Sequence, residues 1–130
     1  MNKLFVLVLC LLTGIYANAA ELGNSDRKII ESAGVDIYPG AQFINGSKAI
    51  GFRFASSESA AVVRKWYRKQ LPSWSLYEKF GGWILYNDKP GLGMAAVMSA
   101  RQVSIKTNIN LPGWFGLDKG LTTEIVVMVP

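Results

Sequence analysis

The clearest periodicity in the chain lies in residues 56–71, and it predicts one long amphipathic helix that ends before Pro72. At about 100° per residue, the large apolar side chains gather on one half of the helical wheel. The other half is basic and carries Arg64, Lys65, Arg68 and Lys69. Ser56 has a side chain that is preferred at the N-cap position. Such a helix must bury its apolar half against another layer of structure, and this requirement constrains the fold most strongly.

Strand patterns flank this helix on both sides. Asn45-Gly46 and Gly81-Gly82 favour two-residue hairpin turns, because their residues tolerate a positive φ. Two later segments alternate between apolar and polar residues, as a strand with one buried face does. The predicted strands cover residues 41–44, 47–54, 74–80, 83–86, 103–109 and 121–129. Hairpins pair their strands antiparallel, so we expect an antiparallel sheet.

Two further segments are predicted as short helices. Within a leader over residues 20–35, residues 26–33 fit a helix with Ser25 as N-cap and Gly34 as C-cap, although a frayed tail fits equally well. Residues 94–101 are rich in Ala and Met, which favour a helix, although a buried strand is the alternative.

Taken in chain order, these elements predict an α+β fold over residues 36–130, which form a single domain. We expect an antiparallel sheet of about five to six strands, with one long amphipathic helix packed on one face as a two-layer sandwich.

The first 19 residues have the three-part pattern of a secretory signal peptide. Met1-Asn2-Lys3 is a short positive region, residues 4–15 form an apolar run, and Ala17-Asn18-Ala19 is a small-residue cleavage site. The apolar run is shorter than the roughly 20 residues that a transmembrane helix needs. We expect cleavage between Ala19 and Ala20, a periplasmic or secreted location, and no transmembrane segment in the mature chain. An uncleaved anchor is the alternative.

The composition excludes several kinds of active site. The chain has no His, and its single Cys, Cys10, lies within the predicted signal peptide. A mature chain without either residue has no Ser-His-Asp triad, no Cys nucleophile, no disulfide and no thiolate or imidazole zinc site. We therefore expect no metal and no cofactor, and a domain that is held together by its apolar core.

Three segments carry a resemblance. Residues 37–41 have the sequence Ile-Tyr-Pro-Gly-Ala, residues 52–56 Phe-Arg-Phe-Ala-Ser, and residues 63–72 Val-Arg-Lys-Trp-Tyr-Arg-Lys-Gln-Leu-Pro. They resemble small exported bacterial domains with a YPGA opening, a hairpin and a helix that ends in an aromatic-Tyr-Arg-Lys run. The resemblance covers about residues 36–86 and implies export and an α+β fold, but no catalytic residue. Within the opening, Pro39 and Gly40 predict a turn.

The basic half of the helix is the first candidate binding surface. It places four positive charges within about two turns: Arg64, Lys65, Arg68 and Lys69. We expect Lys48 and Arg53 nearby. Such a patch suits lipid headgroups, lipopolysaccharide phosphates or an acidic partner protein, and a solvated face that aids solubility is the alternative. No nucleic acid is expected as a partner, because the protein is exported and the aromatic residues of this helix point inward.

The loop at residues 111–117 is the second candidate. Trp114 and Phe115 are adjacent aromatic residues between Gly113 and Gly116, and a small domain cannot easily bury both. Exposed aromatic residues often mark interfaces, and Trp is enriched at binding hot spots. The alternative is a loop that folds back over an open end of the core.

The acidic residues form no recognisable motif. They are scattered along the chain: Asp36, Glu58, Glu78, Asp88, Asp118 and Glu124. Two of them could meet in space as an acid–base pair, but no spacing indicates it.

The sequence therefore predicts a non-enzymatic exported binding module that contacts an unidentified protein or an anionic envelope surface. An inhibitor or immunity protein is the sharper version; a small carboxylate-dependent hydrolase, and an accessory of an envelope assembly that offers a sheet edge, are the alternatives.

Overall fold

The structure is a computed structural model, and it describes residues 21–108 and 120–130. These two ranges contain three helices and six strands. The helices are α1 (Asn24–Ser32), α2 (Ala60–Gln70) and α3 (Met94–Met98). The strands are β1 (Gln42–Ser47), β2 (Gly51–Ser56), β3 (Ser75–Tyr77), β4 (Ile84–Tyr86), β5 (Gln102–Thr107) and β6 (Thr123–Met128).

The six strands form one sheet in the order β1-β2-β6-β5-β4-β3, and every neighbouring pair is antiparallel. This arrangement confirms the predicted α+β fold with an antiparallel sheet. The registers place the end of β2, the end of β5, the start of β6 and the β3–β4 connection at one end of the sheet, which we call the distal end. The β1–β2 turn lies at the other, proximal end.

Helices cover parts of both faces of the sheet, whereas the sequence predicts a two-layer sandwich with one long helix packed on one face. On the α2 face, α1 and α2 pack on the sheet through Ile30, Val63, Tyr67 and their neighbours in the largest core cluster. On the opposite, α3 face, Val97 packs against Tyr77, Ile84 and Tyr86. Successive residues of a strand point to opposite faces, so β4 supplies side chains to both cores. A strand that is apolar on both faces needs cover on both sides.

The longest of the described helices, α2, has 11 residues and begins later than predicted. Its N-cap is Ser59, whose hydroxyl accepts a hydrogen bond from the backbone N–H of Val62 at 3.3 Å. The predicted N-cap, Ser56, is instead the last residue of β2 and pairs with Thr123. Because that pairing keeps Ser56 extended, the helix can begin only after the chain has turned away from the sheet.

The first hairpin turns three residues later than Asn45-Gly46. β1 continues through both residues, and the turn occupies residues 48–50. A register shift between Phe43 and Asn45 marks a bulge, which inserts an extra residue into β1. Position 46 requires a glycine, because a Cβ there would collide with the carbonyl oxygen of Gly51. The φ of Gly51 is itself positive, at 89°. A glycine is therefore needed at position 46 because two strands approach each other closely there. It is not needed to form a turn.

The second hairpin also has a longer connection than predicted. β3 and β4 pair from Ser75 with Tyr86 to Tyr77 with Ile84, so residues 78–83 lie outside the ladder. The backbone N–H of Gly82 donates to the carbonyl of Lys79 at 2.9 Å and closes a turn there. This arrangement takes Phe80, the last residue of the predicted strand, out of the sheet.

The two predicted short helices are both present. α1 begins two residues before the predicted range, after Gly23, and buries Ile30. Residues 94–98 form a helical turn, so the helix prediction for residues 94–101 is confirmed over its first half. Within residues 21–108 and 120–130, no helix combines the length and the apolar character needed to cross a bilayer.

The YPGA segment forms the predicted turn and is fastened to α2. The N–H of Ala41 donates to the carbonyl of Tyr38 at 3.0 Å, and Gly40 has a φ of 78°. The hydroxyl of Tyr67 accepts a hydrogen bond from the N–H of Tyr38 at 3.1 Å and donates to the carbonyl of Asp36 at 2.9 Å. Burial raises the pKa of Tyr67 well above its usual value, so this hydroxyl stays neutral and structural.

Candidate functional site

Phe80 is the most exposed large hydrophobic residue in the described ranges, with 94% of its surface accessible. Its φ of 53° is also the one positive φ among their non-glycine residues. Aromatic residues rarely adopt this left-handed conformation, and backbone strain of this kind is concentrated at functional positions. Sequence analysis missed Phe80, because it placed this residue at the end of the predicted strand 74–80, directly before the Gly81-Gly82 turn. The only available signal was a large aromatic residue directly before two glycines.

Buried aromatic residues fix both ends of the loop that carries Phe80. Tyr77 precedes the loop and is 5% exposed, and Trp83 follows it and is 7% exposed. The carbonyl of Trp83 accepts a hydrogen bond from the N–H of Ile105 at 3.2 Å, which ties the loop to β5. The Lys79 ammonium lies 5.8 Å from the centre of the Tyr77 ring. Phe80 is therefore exposed on a loop whose two ends are fixed by buried aromatic residues.

Arg64 lies beside this loop and is held in place. Its Nη2 donates to the carbonyl of Ile105 at 3.0 Å, and its guanidinium lies 5.7 Å from the centre of the Trp83 ring. Its Nε is buried and has no hydrogen-bond partner within the described residues. Arg64 is therefore half-buried, whereas the sequence predicts it on the exposed, basic half of the helix. The reason is that Arg64 lies on α2 between the side of the helix that packs on the sheet and the side that faces solvent.

Between α2 and the loop runs a groove of about 290 Å³, which we call the tip groove. Arg64 and Trp83 line one part of it, and the loop residues Glu78 to Gly82 line the rest. The lining thus includes two cations, Arg64 and Lys79, and one carboxylate, Glu78. Its aromatic rim and its excess of positive charge suit an anionic group that carries an apolar part.

The remaining basic residues of α2 are exposed as predicted: Lys65, Arg68 and Lys69. Within the described ranges, the ion pairs are those that join Glu124 to Arg53 and to Lys106, so these three cations have none. Arg68 follows Arg64 by one helical turn and lies on the same side of α2. Lys48 and Arg53, which were expected nearby, lie elsewhere: Lys48 in the proximal turn and Arg53 on the other face of the sheet.

Glu124 is the centre of a second polar cluster, on the α3 face. It is 2% exposed and lies on β6, in the interior of the sheet. Its Oε1 accepts a hydrogen bond from Arg53 Nε at 3.1 Å, and its Oε2 accepts one from Asn108 Nδ2 at 2.8 Å. The Lys106 ammonium lies 3.9 Å from Oε1. Both carboxylate oxygens are therefore occupied by donors of the protein itself.

These contacts decide the protonation of Glu124. Burial by itself would raise the pKa of the carboxyl, but the hydrogen bonds from Arg53 and Asn108 and the charges of Arg53 and Lys106 outweigh it. The pKa of Glu124 is therefore below its usual value, and the carboxylate stays ionised at neutral pH. A proton donor for glycoside or ester hydrolysis requires the opposite shift. The residues that the structure describes also include no group of three or more metal-ligating side chains.

Trp114 and Phe115, the second predicted site, lie outside the described residues, as does Asp118. Their role as a binding tip stays a prediction. The chain leaves the described part at Asn108 and re-enters it at Gly120, and Leu121 is then buried with Ile44 and Ala55.

Comparisons with protein-family models, with curated proteins and with solved structures find no match for this chain. Any functional conclusion therefore rests on the geometry of the tip groove, Phe80 and the cations of α2.

Proposed function

We propose that this protein is an exported, non-enzymatic binding module that docks through its distal end onto a protein or an anionic surface of the cell envelope. The observation that carries the proposal is Phe80, an aromatic ring with 94% exposure on a strained residue of an anchored loop. An apolar ring that stays in water contributes no free energy to folding. The positive φ of Phe80 costs the folded state free energy. Both features are explained if the ring is buried in a complex.

The charge beside Phe80 supports an anionic partner. The chain carries a formal charge of +5, and three cations of α2 are exposed without an ion pair in the described part of the chain. Clustered positive charge attracts an acidic surface over distances of about 10 Å at 0.1 M salt and raises the association rate. Export, as predicted from residues 1–19, would bring this charge into contact with the anionic components of the envelope.

An inhibitor or immunity protein is the narrower form of the same proposal, since such a protein needs an anchored contact surface and no catalytic residue. An envelope accessory that pairs through a sheet edge is a second candidate. It is favoured by β1, an edge strand of six residues with no Lys, Arg, Asp, Glu or Pro. The bulge in β1 argues against it, because bulges protect natural sheet edges from further pairing.

The test is retention of the protein in the envelope fraction of a bacterium that exports the full chain. We expect the exported wild-type protein to begin at Ala20 by mass spectrometry and to remain with the envelope at low salt. Phe80→Ser should release it into the soluble periplasmic fraction without lowering its melting temperature.

The matched control is Ile50→Ser, which removes a side chain of 72% exposure from the proximal end of the sheet. It should leave retention unchanged. If Phe80→Ser and wild type are retained equally, or if both serine variants are released equally, docking through the distal end is wrong.

A further inference from the structure

Within the described residues, Phe80 is the one exposed large hydrophobic side chain of its loop. Its neighbours in the loop are Glu78, Lys79 and two glycines, and the ring of Trp83 is buried. The other large hydrophobic residues with high exposure in the described ranges lie outside the loop, at Ile50, Val62, Met94 and Met98. A hot spot in a protein interface needs surrounding contacts that exclude water from it. A single ring without such surroundings suits a fluid layer that closes around any shape, as the interfacial region of a bilayer does.

Cations lie on both sides of this ring: the Lys79 ammonium is beside the Tyr77 ring of the α3 face, and the others are on the side of α2. Lys79 is adjacent to Phe80 in the chain, and Arg64 lines the same groove. Arg68 lies one turn beyond Arg64, and Lys65 is exposed next to it. Each Lys or Arg close to an anionic bilayer strengthens binding about fivefold. An aromatic ring for insertion and cations for the headgroups are the two signals that a peripheral protein combines.

Arg64 adds a donor set that matches a phosphate. A guanidinium has five N–H donors, and the structure assigns one nitrogen, Nη2, to the carbonyl of Ile105. The Trp83 ring limits the orientations of the group, and because Nε is buried, the remaining Nη hydrogens are the donors that can face a ligand. A phosphate oxygen in the tip groove would accept charge-assisted hydrogen bonds from a side chain that is already positioned.

We infer that the partner of the distal end is an anionic phospholipid surface. Phe80 inserts at the level of the upper acyl chains, Arg64 holds a lipid phosphate in the tip groove, and Lys79, Lys65 and Arg68 face neighbouring headgroups. This inference rests on the proposed docking function and names the chemistry of its partner. It distinguishes the surface from a protein, which would need a larger apolar contact than one ring.

The experiment is co-sedimentation of the exported protein with vesicles of phosphatidylcholine, alone or mixed with phosphatidylglycerol. We expect binding to the mixed vesicles at low salt, little binding to phosphatidylcholine alone, and loss of binding as salt screens the charges. Phe80→Ser should weaken binding at least about tenfold, because the insertion of one aromatic ring is lost. Phe80→Trp should bind as the wild type does.

Charge reversal tests the contribution of the cations that face the headgroups. Lys79→Glu changes the local charge by two, so it should weaken binding about 25-fold. Lys48→Glu makes the same change in net charge at the proximal end of the sheet, and it should change binding less than about threefold because of screening. Melting temperatures of all variants confirm that each one is folded.

Two results would overturn the inference. Equal effects of Lys79→Glu and Lys48→Glu would show a response to net charge alone. Failure of the wild type to bind mixed vesicles at low salt, while Phe80→Ser still releases the protein from the envelope fraction, would assign the site to a protein partner. In that second case the proposed function stands and the lipid surface is wrong; if Phe80→Ser is also retained, both are wrong.

Discussion

Glu124 and Arg64 are charged side chains that the fold has partly or wholly removed from water, and they are compensated to different degrees. Glu124 has donors on both oxygens and two cations nearby, so its charge is neutralised within the protein. Arg64 has one hydrogen bond, one aromatic ring and a buried Nε without a partner in the described chain. Full compensation is typical of a structural group, whereas Arg64 keeps Nη hydrogens that no hydrogen bond within the described residues uses.

Glu124→Gln is expected to lower stability in a pH-dependent way. The pKa of Glu124 is lower in the folded protein than in the unfolded chain, so its carboxylate stabilises the fold above the unfolded value of about 4.3. This stabilisation is lost as the pH falls through the lower, folded pKa. We expect the variant to lose about 1–3 kcal/mol of unfolding free energy at pH 7, and urea melts should show the gap closing in acid.

Glu31→Gln, at an exposed position of α1, is the control and should differ from wild type by less than about 0.5 kcal/mol. A loss in Glu124→Gln that is the same at pH 7 and in strong acid would contradict the ion-pair explanation.

Phe80→Asn is expected to keep or raise stability. A left-handed backbone costs a residue with a large side chain about 1–2 kcal/mol, and Asn tolerates this conformation better. Because the ring has almost no contact to lose, thermal and urea melts should show a gain of up to about 1 kcal/mol. A loss of similar size would mean that Phe80 packs against the protein and is not held ready for a partner.

Among the elements, β1 shows how one close contact determines a whole hairpin. The bulge after Phe43 and the approach of Gly46 to Gly51 together move the turn to residues 48–50. α2 shows a similar effect, since its start is set by the pairing of Ser56 with Thr123 in the sheet. In both cases a partner strand, and not the local residue preference, decides where the element begins or ends.

Gly46→Ala is expected to destabilise the first hairpin severely. Its φ of 132° is a region that is open almost only to glycine, and the new methyl group would collide with the backbone of Gly51. We expect a loss of about 3 kcal/mol or more in unfolding free energy, measured in urea.

Gly34→Ala is the matched control for this change. Gly34 also has a positive φ, of 83°, but no atom lies within 4 Å of the position of its Cβ. Its loss should be about 1 kcal/mol, from the backbone alone. Equal losses at both positions would show that the strand contact at Gly46 is relaxed in solution.

At the scale of the whole molecule, the sheet separates the proximal end from the distal end, at which we propose that the protein docks. Ile50 and Lys48 are presented at the proximal end, and Phe80 and the tip groove at the distal end. The described residues that flank positions 109–119 also lie at the distal end, since Thr107 pairs with Thr123 there. Phe80 and the aromatic pair Trp114-Phe115 can therefore be tested separately and together.

Trp114 and Phe115 are predicted to be binding residues and not core residues. If so, replacing both with Ser should leave the melting temperature unchanged and weaken partner binding by about 2 kcal/mol or more, the usual scale of a hot spot. Thermal melts and vesicle binding on the double variant measure both quantities. A large fall in melting temperature would instead assign the loop to the cover of the core.

The residue pattern by itself determined the class of the fold, because periodicity depends only on the order of apolar and polar residues. It located the apolar side of α2 at Val63 and Tyr67 and the strand character of β5 and β6, all of which are local properties. It also excluded histidine chemistry from the chain and cysteine chemistry from residues 20–130, since neither conclusion needs a structure.

Only the tertiary structure decided the features that depend on contacts between segments far apart in the chain. The pairing of β2 with β6 set the start of α2, and the exposed Phe80 resulted from the register of β3 on β4. The half-buried state of Arg64 required the carbonyl of Ile105, 41 residues away, and the ionised state of Glu124 required Arg53, 71 residues away. No local pattern specifies such partners, because the energy of a buried or exposed group depends on what the folded chain brings beside it.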